Sequence, residues 1–235
     1  HYLQEGAALK PNFWRAPTDN DMGANLQLRL KAWKTATDSL QLKSLKHDLS
    51  NNVATIDAVY DLYKIPAQLK ISYRINSNGE ITVNQSLNPE LGGKPYDIML
   101  LRYGMNWVLP QGFETISYYG RGPDENYQDR NEMSPVGLYH QSVSQQFYGY
   151  VRPQETGNKT DIRWFEIKNN NGFSLRVQGK GLLNMSALHY LQSDLDDGDK
   201  KDQRHSGDLK PRPQTSLNID LKQMGLGSIN SWGQL

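Results

Sequence analysis

Cysteine is absent from the 235 residues. That excludes disulfides, thiolate metal ligation and thiol nucleophiles, while leaving the redox compartment open. No apolar run is long enough to span a bilayer as a helix. An excess of one charge is also lacking, since 26 Lys and Arg stand against 25 Asp and Glu for a formal net charge of +1. Without an overall field to collect polyanions, neither nucleic acid nor an anionic membrane is expected as a partner, and a neutral ligand fits the balance better. The phosphate-binding glycine loop, the Gly-x-Ser-x-Gly elbow and the His-Glu-x-x-His metal motif are all missing. Helical periodicity is scarce as well, confined to Leu26, Leu28, Leu30 and Trp33 in a short helical or irregular segment.

What the chain does contain is one dense stretch near its start, Asn12-Phe13-Trp14-Arg15-Ala16-Pro17-Thr18-Asp19-Asn20-Asp21-Met22-Gly23. Pro17 fixes its own φ and biases Ala16 toward an extended backbone, and Asp19, Asn20 and Asp21 favour turns by bonding nearby main chain. The pattern predicts a strand end passing into a shaped loop with Gly23 as a freely rotating position. An ordinary polar turn after a buried Phe-Trp pair satisfies the same local pattern.

Most of the remaining sequence alternates with period two. Ala54, Ile56, Ala58, Tyr60 and Leu62 share one face of a strand, and Leu69, Ile71, Tyr73 and Ile75 repeat the pattern before Asn76-Ser77-Asn78-Gly79 turns the chain into Ile81 and Val83. Leu101 to Trp107, Phe113 to Tyr119 and a hairpin of Ile162–Ile167 with Phe173–Val177 follow, and Leu217, Ile219 and Leu221 make a late strand. Many strands, regular turns and little helix predict an all-β antiparallel sandwich. No low-complexity linker divides it, so residues 1–235 read as one domain. His1 in place of a methionine, and a sequence that stops three residues after Trp232, lead us to expect a piece of a longer polypeptide.

Three regions concentrate polar chemistry. Gly120 to Arg130 holds three acids, two arginines and a tyrosine. A retaining glycosidase needs two carboxylates about 5 Å apart across the scissile bond, whereas acids this close in sequence more often cap turns or pair with Arg121 and Arg130. Arg152-Pro153-Gln154-Glu155 reads as a second polar loop. Asp194, Asp196, Asp197, Asp199 and Asp202 invite a calcium assignment, but the glycine and closing glutamate of the helix–loop–helix pattern are out of place, so a solvated loop is expected. Trp232 lies beyond the glycine-punctuated Gly225-Leu226-Gly227. Its ring could stack on the apolar face of a sugar or simply fill a core.

Together Phe13 to Gly23, Gly120 to Arg130 and Gly225 to Trp232 resemble the C-terminal, small-chain domain of family 2 glycoside hydrolases of the bacterial lac-type β-galactosidase kind, in order and spacing along essentially the whole chain. The resemblance implies a large antiparallel β-sandwich, the supersandwich shared with galactose mutarotases, lacking the family's closing strand. It also implies a (β/α)8 barrel outside this chain that holds both catalytic glutamates, the magnesium, the sodium of some members and most galactose contacts. No catalytic residue, metal ligand or cofactor is therefore expected here, and the chain alone is expected to be inactive. What the resemblance assigns to it is substrate binding through Trp232, matching a tryptophan that stacks on the sugar at the mouth of the site, and through Asp19, Asn20, Asp21 and Gly23, matching a mobile loop with its hinge glycine. The implied partners are the barrel and a β-galactoside such as lactose, in a parent that forms a homo-oligomer in the bacterial cytoplasm or periplasm. A small subunit of a two-chain β-galactosidase and a free-standing carbohydrate-binding or mutarotase-like module are the alternatives.

Overall fold

The computed structural model describes residues 8–38, 40–89, 99–200 and 204–227. Its elements run β1 (Lys10–Asn12), α1 (Asp19–Gly23), α2 (Leu26–Arg29), α3 (Lys31–Lys34), β2 (Leu40–Ser50), β3 (Val53–Leu62), β4 (Ala67–Asn76), β5 (Ile81–Pro89), β6 (Arg102–Leu109), β7 (Phe113–Arg121), β8 (Val136–Ser142), β9 (Lys159–Asn169), β10 (Ser174–Leu188), α4 (Gln192–Leu195) and β11 (Thr215–Gln223). This is the all-β class expected from the alternation, built as two antiparallel sheets. The residues divide into two compact units, one drawn from His1–Lys31 with Leu100–Leu235 and the other from Ala32–Met99.

The first unit carries a seven-stranded sheet in the order β1-β6-β11-β10-β9-β7-β8. Its core joins Leu109, Phe113, Ile116, Tyr118, Phe165 and Met185, among others, all buried. Phe113 and Ile116 differ in parity along β7, yet both point inward. The register shifts between Phe113 and Thr115, and a bulge of one residue moves the following side chains to the opposite face. The β9–β10 hairpin forms where Asn169 to Gly172 predicts it. The Asn169 side-chain oxygen accepts from the amides of Asn171 at 3.0 Å and Phe173 at 2.9 Å, and Gly172 takes a φ of +85° that other residues resist.

The second unit carries the sheet β2-β3-β4-β5. The β4–β5 turn is the expected one, with Gly79 at φ +87°. Strand β2 was not apparent from the alternation, because its apolar positions shift phase at a bulge between Leu42 and Ser44. The signal for it lies in Asn51-Asn52. Both residues take positive φ, 50° and 60°, the geometry of a two-residue hairpin turn that asparagine tolerates. The pairings align side chains in rungs across the four strands. Leu49, Ala54, Ile75 and Ile81 form one, and Leu42, Tyr60, Leu69 and Leu87 another. Thr55, Asp57, Lys70, Arg74 and Asn84 fall on the other face. One side of the sheet is therefore apolar and the other polar.

Ile116 on β7 has no solvent exposure, whereas Leu138 on β8 is largely exposed. Ile116→Ala is expected to cost about 2–5 kcal/mol of stability and Leu138→Ala less than about 0.5. Urea unfolding monitored by circular dichroism measures both, and equal costs would contradict this placement of the core.

Candidate functional site

The stretch that dominates the sequence folds as the end of β1 followed by α1, a single helical turn, where a loop was expected. Thr18 explains the difference. Its hydroxyl accepts the Asp21 amide at 3.1 Å, while Asp21 accepts the Thr18 amide at 3.0 Å, and this reciprocal box satisfies two amides that a short helix would otherwise leave unpaired. Asp21 also receives Arg15 through two bonds, at 2.8 and 3.1 Å, with both side chains fully buried. A planar guanidinium and a carboxylate meet here in their most directional arrangement.

Arg15 has further donors, and they point at the far end of the chain. It donates to the carbonyl of Met224 and, at 3.3 Å, to that of Gly225. The Asn20 amide group donates to the Leu226 carbonyl at 2.8 Å. From the opposite side, Asp129 accepts the amides of Leu226 at 3.1 Å and Gly227 at 2.6 Å. A Cβ at position 225 would lie 2.3 Å from the Asp129 carboxyl, so glycine there is what lets the carboxylate reach the amides. Thus the segment 224–227 is held on its carbonyl side by the first motif and on its amide side by the second.

The other acids of these loops are likewise committed. Glu125 pairs with Arg130 at 2.7 Å and accepts the Gly157 amide at 2.7 Å, the Thr156 hydroxyl at 3.2 Å and the Tyr150 hydroxyl. Burial, followed by the bond to Glu125, pushes the Tyr150 hydroxyl up to about 12, so it remains a donor. Arg121 pairs with Asp161 at 2.6 Å and not with the acids beside it in sequence. Asp19 and Gln154 exchange bonds, the Asp19 amide donating at 3.2 Å and the Gln154 side chain returning one at 3.1 Å. In the aspartate-rich stretch, Asp194 takes Arg212 through two bonds of 2.6 Å, Asp196 accepts the Trp14 indole at 2.8 Å, and Asp197 and Asp199 pair with Arg204 and Lys31. Where a solvated loop was expected, Trp14 and Lys31 tie the stretch to the start of the chain and Arg204 and Arg212 tie it to the residues that follow; Asp202 lies outside the described residues.

Of the sequence-derived substrate-binding residues, Asp21 is buried in the cap, Asn20 is half-buried against Leu226, and Asp19 and Gly23 are exposed on α1. Trp232 lies outside the described residues. Sequence reasoning placed Asp129 among acids expected to cap turns or pair with Arg121 and Arg130 and missed its partners, which lie about a hundred residues away; it did not find the buried group around Arg102. Arg102 lies 2.8 Å from Glu155 and 3.1 Å from Asp220, all three buried. Asp220 faces Gly104 across the β6–β11 ladder, where a Cβ would come within 2.2 Å of its carboxylate; a glycine inside a strand, two residues after an arginine, was the available signal.

Burial pushes the Asp220 carboxyl up from its ordinary 3.8 to about 7; Arg102 opposes the rise, and the Glu155 charge adds to it. The folded state therefore keeps a proton between about pH 4 and 7 that the unfolded chain has already lost. The associated stability is present at low pH and declines across that window. Relative to the unsubstituted chain, the thermal midpoint of Asp220→Asn is expected to be more favourable at pH 8 than at pH 5, with scanning calorimetry at both values as the check. An equal effect at the two pH values would mean that Arg102 keeps the carboxylate ionised throughout.

A sequence model of the β-galactosidase small chain matches residues 1–235. Among curated relatives, β-galactosidase of Priestia megaterium is 32% identical over 228 residues, covering 96% of this chain and 21% of that protein. That of Lactobacillus delbrueckii subsp. bulgaricus is 32% identical over 224 residues, covering 94% and 21%, and that of Streptococcus thermophilus is 26% identical over 235 residues, covering 99% and 22%. The chain thus spans about a fifth of the length of the curated relatives it matches. By that whole-length match, it belongs to the β-galactosidase small-chain family.

Proposed function

We propose that this chain completes the sugar-acceptor side of the active site in a lac-type β-galactosidase of glycoside hydrolase family 2. In this reading the catalytic glutamates and the magnesium belong to a (β/α)8 barrel elsewhere in the same enzyme. This chain supplies Trp232 as a stacking platform and α1 as the neighbouring wall. One observation carries the reading: the backbone of 224–227, five residues short of Trp232, is gripped by Arg15, Asn20 and Asp129 from two separate motifs. Such convergence on a short glycine-rich segment makes physical sense where the side chain that follows has to be aimed.

The acids of these loops fit the same division of labour. Asp21, Glu125 and Glu155 are each engaged by an arginine, and Asp129 by two amides, which suits holding loops in shape better than exchanging protons with a substrate. In this reading the exposed edge of α1, with Gly23 and the Gln154-bonded Asp19, is the part nearest the sugar, and Asn20 and Asp21 build the wall behind it. The small-chain description of the family also accommodates a two-chain enzyme in which this polypeptide is a separate subunit; the contacts on 224–227 serve either arrangement.

The test is lactose and chromogenic β-galactoside hydrolysis by the complete enzyme. Trp232→Ala is expected to raise KM and weaken acceptor binding by about tenfold, equivalent to ~1.4 kcal/mol. Asp129→Ala should move the same parameters in the same direction by less. Unchanged constants in both variants would remove Trp232 from the site, and sugar turnover by this chain alone would place chemistry where the reading has none.

A further inference from the structure

Of the groups that Glu125 answers, Tyr150, Thr156 and Gly157 all belong to one loop, residues 147–157. Gly157 closes the base of that loop at a φ of +78°, with a Cβ position only 2.7 Å from the Gln146 carbonyl oxygen, so no other residue fits there. Within the loop the Tyr148 amide donates to the Thr156 hydroxyl at 3.1 Å, and the Tyr148 carbonyl accepts the Tyr150 amide at 3.2 Å. The Tyr150 hydroxyl is fixed between Glu125 and Arg130, the latter donating at 2.9 Å. Its ring meets that of Tyr148 edge-on, with centroids 4.8 Å apart. What these contacts hold in place is a ring in water, since Tyr148 is 57% exposed. A large aromatic fixed in this way has little freedom left to lose on binding and presents an apolar surface with a polar tip.

The loop is wired to both sides of the candidate site. Gln154 exchanges bonds with Asp19 on α1, and the Glu155 amide donates to the Ala16 carbonyl at 3.2 Å. Arg130, which holds Tyr150, directly follows Asp129, which holds 226–227, and main-chain bonds in both directions between Tyr127 and Arg130 close the turn that carries them. Two consecutive side chains of one turn thus fix the stem of Trp232 and the tyrosine pair at a set spacing. We propose that Tyr148 is a second sugar platform on the acceptor side, stacking on a saccharide unit beyond the one at Trp232, so that the enzyme favours β-galactosides carrying two or more sugars after the cleaved bond. The proposal deepens the functional reading above and rests on it. Its ligand is a neutral saccharide: the ring offers an apolar face, and the charged groups that touch the tyrosine pair, Glu125 and Arg130, are paired with each other, which leaves hydroxyls and C–H faces as the chemistry to be recognised.

The test compares lactose with β-linked galactotriose and galactotetraose as substrates of the complete enzyme. In Tyr148→Ala, kcat/KM for the longer substrates relative to lactose is expected to fall about tenfold, chiefly through KM, whereas Tyr148→Phe keeps the ring and is expected to keep the ratio. Tyr148→Leu, which retains bulk without an aromatic face, repeats the test should Tyr148→Ala fail to fold. An unmoved ratio overturns the proposal. So does a loss that is equal for all the substrates and comes with a lowered thermal midpoint, which would make Tyr148 a packing residue against another part of the enzyme. Trp232→Ala separates this proposal from the reading beneath it. Lactose hydrolysis that responds to Trp232→Ala, with an unmoved ratio in Tyr148→Ala, sinks the outer platform alone; a ratio that moves while lactose ignores Trp232→Ala sinks the role of Trp232 alone.

Discussion

The buried guanidinium of Arg15 is the contact on which the candidate site depends. A charge with no solvent exposure persists only when every donor is answered. Arg15 has Asp21 on one side and the main-chain carbonyls of Met224 and Gly225 on the other. Lysine could not reproduce this, because one ammonium cannot span a carboxylate and two carbonyls in a fixed plane. The consequence is mechanical. The first turn of α1 and the segment after β11, more than two hundred residues apart in sequence, share one rigid group, so displacing either leaves a buried charge unanswered.

Asp129 completes this arrangement by a different principle. Its carboxylate accepts two successive amides, a charge-assisted pairing that fixes direction as well as distance. Gly225 admits it by having no Cβ. Carbonyls answered by a cation on one side and amides by an anion on the other leave little rotational freedom in a segment otherwise rich in glycine. The entropy that glycine would retain is removed by contacts from outside the segment rather than by its own side chains.

Where the sequence was legible, periodicity carried the information. The strands of β3, β4, β9 and the first half of β10, and the turns at Asn78-Gly79 and Asn169 to Gly172, followed from alternation and turn chemistry because each depends on neighbours in sequence. Strand β2 was lost to its bulge, and β8 to its mixed composition. The helical turn at Asp19–Gly23 was lost because Asp and Asn read as turn formers until Thr18 and Asp21 are seen to cap each other. Within the site, the motifs were visible but their wiring was not. Arg121 finds Asp161 instead of its neighbours, and Asp129 finds amides about a hundred residues on. Long-range polar pairing has no period, so it leaves no trace in a single sequence.

The two units illustrate complementary ways of specifying geometry. In the first, loops are fixed by buried charges whose partners are individually irreplaceable, and the trio of Arg102, Glu155 and Asp220 extends this so far that burial holds one carboxyl near neutrality. Such networks contribute little net free energy but penalise every alternative arrangement. In the second, the four-stranded sheet offers apolar area on one face with almost no polar detail. Burial of that kind supplies free energy in proportion to area yet discriminates weakly between poses. Aiming a side chain calls for the first property and holding a large neighbour in place calls for the second. Within 235 residues the two properties are kept apart, with the polar precision in the loops around 224–227 and the apolar area on β2 to β5.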